Sequence, residues 1–156
     1  MNHEDFMREA IKLSQEHMEN GDGWPFGCVI VKDWEIVWRG WNKVTSTNDP
    51  TAHAEVSAIR DASQKLGSFL LDDCELYTSC EPCPMCYGAM SWARIKKIYY
   101  ANTEIDAVAI GFDDSAFHDD IKKDFDKRDI PVEQILRDEA NVVFQEWDKK
   151  EDKTEY

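Results

Sequence analysis

Two thiols spaced Cys-x-x-Cys, Cys83 and Cys86, lie in the stretch Thr78–Ser79–Cys80–Glu81–Pro82–Cys83–Pro84–Met85–Cys86. Where such a pair opens a helix, the first turn folds the chain back and brings both sulfurs to one side of a metal. Pro84 suits that helix start, because its missing N–H is one that the first turn leaves unpaired anyway. Upstream, Thr51–Ala52–His53–Ala54–Glu55–Val56 offers an imidazole and a carboxylate two residues apart. A catalytic zinc takes three protein ligands and keeps a fourth position open, and His53, Cys83 and Cys86 supply three. A metal of this kind lowers the pKa of a water from 15.7 to ~7. Some group must then hold and move the proton. Glu55 reaches that position without ligating the metal, and a general base placed so contributes ~10²–10⁴-fold.

Each half alone is ambiguous. Cys-x-x-Cys also serves redox and structural sites, and an isolated His-Ala-Glu usually carries no chemistry. Cys80, three residues before Cys83, raises an iron–sulfur cluster as an alternative. The bacterial cluster run would place a fourth cysteine near position 90, where Met90 stands, and it would leave His53 and Glu55 unexplained. Cys28, Cys74 and Cys80 read as buried thiols. Taken together and in this order, His-x-Glu followed by Pro-Cys-x-x-Cys is the signature of zinc nucleobase deaminases, with one zinc per subunit.

The rest of the chain has to bring two helix starts together. Residues 3–20 carry an apolar stripe at helical spacing through Phe6, Ala10 and Leu13 and end at Asn20–Gly21. Residues 27–32 form a nearly continuous apolar run, as for a strand covered on both faces. Asp33 and Trp34 make a tight turn into a second strand over 35–41. Residues 42–50 are polar and read as a loop. A helix is expected from Thr51 to about Lys65, stopped by Gly67. A third strand spans 74–79, a helix runs from Pro84 to about Arg94, and a fourth strand covers 95–101. Beyond Asn102 the pattern weakens. Ser115 is expected to cap a short helix through Phe125, residues 131–136 to add a short last strand, and 140–149 to form a helix. The order implies an α/β three-layer sandwich, a mixed sheet of about five strands flanked by helices, in a single domain spanning 1–156.

Composition narrows the partners. The net charge of −14 argues against nucleic acid, which needs clustered Lys and Arg to neutralise phosphates. No stretch approaches the ~20 apolar residues of a membrane span. Five clustered cysteines are an odd set for disulfides and point to a reducing compartment. With no signal peptide evident, a cytoplasmic location is expected.

Residues 42–55, Asn–Lys–Val–Thr–Ser–Thr–Asn–Asp–Pro–Thr–Ala–His–Ala–Glu, resemble the bacterial guanine deaminases of the cytidine-deaminase-like superfamily. So do residues 76–86, the turn Gly111–Phe112–Asp113–Asp114–Ser115 and the terminal Glu155–Tyr156. The resemblance spans essentially the whole chain. It implies hydrolysis of guanine to xanthine and ammonia. Guanosine or another aminopurine is the alternative substrate, with a tRNA adenosine deaminase or a non-catalytic zinc module further off. It also implies roles for single residues. Asn42 would hydrogen-bond the purine, Phe26 and Trp92 would pack on its rings, and the backbone at Ala54 and Cys83 would meet its polar edges. Glu55 would shuttle the proton, Asp114 would assist the leaving amine, and Tyr156 would close the pocket. Family members form homodimers with exchanged C-terminal segments, here residues 140–156, so Tyr156 would come from a neighbouring subunit. Read singly, Asn42 also fits a turn cap, Phe26, Trp92 and Phe112 fit a core, and Asp114 fits the turn before Ser115.

Two positions depart from the family pattern. Where Gly–Gly–Pro–Phe is usual, this chain reads Gly23–Trp24–Pro25–Phe26, which sets an indole beside an expected pocket wall. At the hairpin, where Asp-Gly is expected, Trp34 stands, at ~1–2 kcal/mol if its φ is positive.

Overall fold

Asn2 starts the first helix, α1 (His3–Glu19). Its side chain accepts the Asp5 N–H while the Asp5 carboxylate takes the Asn2 N–H, a reciprocal cap. The computed structural model describes residues 1–156 and divides into two compact units, Met1–Ser115 and Ala116–Tyr156.

In the first unit α1 is followed by the hairpin β1 (Gly27–Lys32) and β2 (Glu35–Trp41). Then come α2 (Val44–Thr47), α3 (Ala54–Leu66), β3 (Glu75–Cys80), α4 (Pro84–Trp92), β4 (Lys97–Asn102) and α5 (Glu104–Ala109). The four strands form one mixed sheet in the order β2-β1-β3-β4. β1 runs antiparallel to both neighbours, and β3 lies parallel to β4 across the α4 crossover.

Strand parity sorts the core into two layers. Val29 and Val31 of β1 and Tyr77 of β3 pack with Phe6 and Leu13 of α1. Cys28, Ile30 and Leu76 face the other way, against Ala54, Ala58, Cys86 and Met90 of α3 and α4. This is the expected sandwich, with four strands rather than about five.

The Asp33–Trp34 turn takes positive φ at both residues, 50° and 63°, the geometry that favours Asn and Gly. The Trp34 ring gains contacts that offset part of that strain, 5.1 Å from the His3 ring and 6.2 Å from Phe6.

Several boundaries differ from expectation. The polar 42–50 stretch contains the short helix α2, closed by Asn48 at φ 52°. The next helix begins at Ala54, not Thr51, because Asp49 Oδ1 accepts both the N–H and the hydroxyl of Thr51 and holds residues 49–51 in a turn. Gly67 ends α3 with φ 63°, as expected. α5 was not expected. Thr103 and Asp106 build a capping box for it, a signal hidden by its short apolar run.

In the second unit, α6 (Ser115–Asp120) starts at the boundary and stops short of Phe125, where a 3₁₀ turn (Phe125–Lys127) forms instead. Residues 131–136 form no strand. Pro131 has no N–H to give, Leu136 turns left-handed at φ 52°, and α7 (Arg137–Asp148) begins directly after it. Val143, Phe144 and Trp147 of α7 are exposed, as are Phe117, Phe125 and Ile135. No helix of the chain is long and apolar enough to cross a membrane.

Candidate metal centre and active site

His53 and Cys83 occupy the same structural position. Each is the N-cap of its helix, α3 or α4, with extended backbone (φ −65°, ψ 159° and φ −65°, ψ 166°), and neither side chain is used to cap. Pro84 follows Cys83 at the first helical position and needs no partner for an N–H it lacks. Both side chains are thereby free to point off the helix ends. Cys86, one turn into α4, joins them. His53 Nδ1 lies 3.6 Å from Cys83 Sγ and 3.5 Å from Cys86 Sγ.

Those separations test whether zinc fits. A tetrahedral ion with Zn–S ≈ 2.3 Å and Zn–N ≈ 2.0–2.1 Å holds its sulfur and nitrogen ligands about 3.6 Å apart. The three ligand atoms all lie within 4.8 Å of one another. The donor set of one imidazole and two thiols suits zinc, and its three members leave a fourth position for water. All five cysteines are free and buried, so Cys83 and Cys86 are not spent on a disulfide.

The electrostatics of the metal-free centre agree with this use. Cys83 is pulled down to about 4, chiefly by the hydrogen bond from Cys86 and then by His53. Cys86 is pushed far above the ordinary thiol range by the same hydrogen bond and by burial. The pair therefore holds one proton, on Cys86. Cys83 in turn raises His53. Two helix N-termini point their partial positive charge at these sulfurs, which favours the thiolate form.

Glu55, in the first turn of α3, is buried at 6% exposure. Thr78 donates its hydroxyl to Glu55 Oε1 at 2.9 Å, and the Cys86 thiol reaches Oε2 at 3.3 Å. Burial raises the carboxyl above its ordinary range, against the lowering effect of these hydrogen bonds. One carboxylate oxygen is thus tethered, and the other faces the His–Cys–Cys group. Thr78 had not been singled out in the sequence. Its signal is parity: Leu76, Thr78 and Cys80 share the sheet face toward α3, and Cys28 pairs with Thr78 across the ladder.

β2 fixes the distance of α3. A Cβ on Gly40 would lie 2.4 Å from Ala54 O, so the glycine lets the strand back directly onto the helix start that carries His53, Ala54 and Glu55. Ala54 itself is fully buried.

Asn42, at the end of β2, is 2% exposed. Its Oδ1 receives the N–H of Val44 at 3.2 Å and faces that of Trp24 at 3.4 Å, and its own N–H donates to Phe26 O at 3.1 Å. The turn-capping role is real, and it directs the amide's donor end elsewhere. Phe26 meets Phe112 edge-on at 4.8 Å, and Phe112 meets the His53 ring at 5.7 Å. Phe112 therefore adjoins His53, Phe26 lies beside Phe112, and Asn42 is joined to them through the Phe26 backbone. Asp114, 7% exposed, contributes to the field at His53. Trp92 closes α4 six residues beyond Cys86, about 9 Å of helix rise, and is exposed. Tyr156 belongs to the second unit and is exposed.

The model of the cytidine and deoxycytidylate deaminase zinc-binding region matches residues 1–102. The chain belongs to this zinc deaminase family. A curated relative, the guanine deaminase of Bacillus subtilis, is 52% identical over 156 residues, all of both chains. A crystal structure of the B. subtilis guanine deaminase superposes with a TM-score of 0.97, covering 100% of this chain and 99% of that one. A tRNA-specific adenosine deaminase of Aquifex aeolicus is 40% identical over 101 residues, 65% of this deaminase and 66% of its own length. A guanine deaminase structure from Nitrosomonas europaea is 32% identical with a TM-score of 0.67, covering 72% of this deaminase and 65% of that chain. The likeness to the adenosine enzyme covers 65% of this chain, whereas that to the B. subtilis enzyme covers all of it.

Proposed function

We propose that this deaminase converts guanine and water to xanthine and ammonia. The observation that carries the chemistry is the meeting of His53, Cys83 and Cys86 beside Oε2 of a buried Glu55, which the Cys86 thiol reaches at 3.3 Å. What supports guanine over other amino-heterocycles is the full-length similarity to an enzyme of that name.

His53 Nδ1 and the two sulfurs would hold zinc, which when bound supplies a Lewis acid that lowers the pKa of water to ~7. Glu55 Oε2 takes the proton of the attacking water and delivers it to a ring nitrogen of the purine, while Thr78 keeps Oε1 in place. The hydroxyl left on C2 then gives up its proton to become the carbonyl, the amine takes one up and leaves as ammonia, and Asp114 assists that leaving amine. The donor end of the Asn42 amide meets an acceptor on the purine, and a site built this way can reject analogues lacking the matching group by ~10⁴-fold or more. Phe26 and Phe112 flank the ring and exclude water. The resemblance assigns Trp92 and Tyr156 to the same purine as the remaining rings.

A homodimer with exchanged C-terminal segments, residues 140–156 included, agrees with the exposed Val143, Phe144 and Trp147 of α7. Sedimentation should give twice the 18.1 kDa chain mass. Work in the cytoplasm agrees with five free thiols. The charge of −14 disfavours a tRNA substrate. Ammonia release from guanine, guanosine, adenine and cytidine, with Glu55→Gln as control, tests the reading. Full zinc loading with no release from guanine refutes it.

A further inference from the structure

Residues 21–26 are pinned between the end of β2 and the end of α1. Gly23 sits where a Cβ would come within 2.2 Å of Asn42 O. The Trp24 N–H faces Asn42 Oδ1, and the Phe26 N–H donates to Trp24 O at 2.7 Å. On the other side of the glycine, Asp22 Oδ2 lies 2.6 Å from His17 Nδ1, and that imidazole lies flat on Trp41 at 3.6 Å. The backbone carrying Trp24 is therefore held from both ends. Its indole meets the edge of Phe112 at 5.8 Å, and Phe112 meets His53 at 5.7 Å. A file of rings runs outward from the metal group, and Trp24, 40% exposed, is its outermost member.

Resting on the guanine reading, we propose that Trp24 sets the size of substrate, admitting the free purine base and excluding the base that carries a sugar on N9. In guanine the leaving amine is on C2 of the six-membered ring, and N9 belongs to the five-membered ring at the opposite end. With C2 at Glu55 and the His–Cys–Cys group, the five-membered ring points outward along the file. A hydrogen on N9 stops short of the indole, whereas a ribose has to share its space. A loop pinned at Asn42, Phe26 and His17 cannot swing aside to admit it. An apolar wall discriminates by shape, typically 10–200-fold for a small group, and more for a bulky one that has nowhere to go.

The test measures kcat/KM of the zinc-loaded full chain for guanine, 9-methylguanine and guanosine, in wild type, Trp24→Phe and Trp24→Ala. Calorimetric Kd values for xanthine and xanthosine read binding without turnover. Wild type should lose efficiency stepwise as the N9 group grows and should bind xanthine over xanthosine. Trp24→Ala should cut the guanine-over-guanosine ratio at least about tenfold and shift the two Kd values toward each other, with Trp24→Phe between. Wild type using guanosine as well as guanine overturns the proposal, and so does an unmoved ratio in Trp24→Ala with guanine still turned over. Should Trp24→Ala fail to fold, Trp24→Phe and the wild-type substrate series decide it, equal rates on 9-methylguanine and guanosine being the adverse result. Release from neither guanine nor guanosine by wild type removes the guanine reading itself and the proposal with it.

Discussion

Replacing Gly40 with alanine should displace the start of α3 and disturb the centre from behind. The added Cβ would lie 2.4 Å from Ala54 O and 2.8 Å from both Cβ and N of Ala58. Ordinary contact begins at 3.4 Å, so strand and helix must part by about 1 Å. All three opposing atoms belong to the helix backbone or to its first side-chain carbon, so no rotamer change relieves the clash. Overpacking of this kind costs about 1–3 kcal/mol. At about 2–4 °C per kcal/mol for a chain of this size, Tm should fall by roughly 2–12 °C. The rate should suffer more. His53 and Glu55 flank Ala54, and a 1 Å misplacement of positioning groups costs about 10²-fold. The control is Gly88→Ala inside α4, where a Cβ meets nothing within 4 Å. There alanine should add about 0.5–1 kcal/mol of stability and leave ammonia release from guanine as it was. Thermal denaturation and kcat/KM of both zinc-loaded variants decide the matter. A Gly40→Ala chain with wild-type Tm and wild-type activity would falsify the claim that this close approach sets the position of α3.

Glu55→Gln keeps the shape of the side chain and removes the proton carrier, so kcat should drop ~10²–10⁴-fold with zinc content unchanged; a loss under tenfold would assign the proton to another group. Thr78→Val removes the donor to Glu55 Oε1 and with it an influence that lowers the Glu55 pKa. The acid limb of the kcat/KM profile should move to higher pH and the maximum fall by about 10–100-fold, as for a lost hydrogen bond to a charged group; an unmoved limb contradicts the tether. Zinc binding must drive the shared proton off Cys86, so affinity measured by chelator competition should rise about tenfold per pH unit. Below the raised pKa of His53 the slope should steepen, because the imidazole must then lose a proton too; a pH-independent affinity is incompatible with a Cys86 that holds a proton in the metal-free chain.

How much of this the sequence disclosed depends on the range of the signal. The metal group was legible because its ligands carry their own spacing, and Pro84 marks the helix start that Cys83 needs. The bounds of β1 and β2 were legible to the residue, since a continuous apolar run and a two-residue turn mark them, whereas the register shift between Ile30 and Val31 left no mark in the sequence. The start of α3 was not. Asp49 closes a turn on Thr51, and propensity alone cannot show that this local bond beats three more helical residues. Thr78 and Gly40 were invisible for a different reason. Each acts across the sheet–helix interface, on Glu55 and Ala54, through contacts that exist only after the layers pack. The strand expected at 131–136 failed on the opposite ground: its β-branched residues satisfy a strand pattern, but Pro131 cannot donate and Leu136 turns left-handed.

The placement of His53 and Cys83 explains why two helix starts are used. A Ser, Asp or Asn at an N-cap normally gives its side chain to the helix, at a gain of about 1 kcal/mol over an uncapped end. Here both N-cap side chains are withheld from the helix, so α3 and α4 forgo that stabilisation. The uncapped N–H groups and the positive ends of both helices are left facing the sulfurs, where a cap would have neutralised them. The same neighbours act on each other: in the metal-free chain Cys83 sits near 4, chiefly through the hydrogen bond from Cys86 and then through His53. Stability given up at two helix ends is recovered as a preformed, negatively charged pocket for a dication. Because the recovery needs the metal, the centre is among the parts of the fold most strongly coupled to zinc.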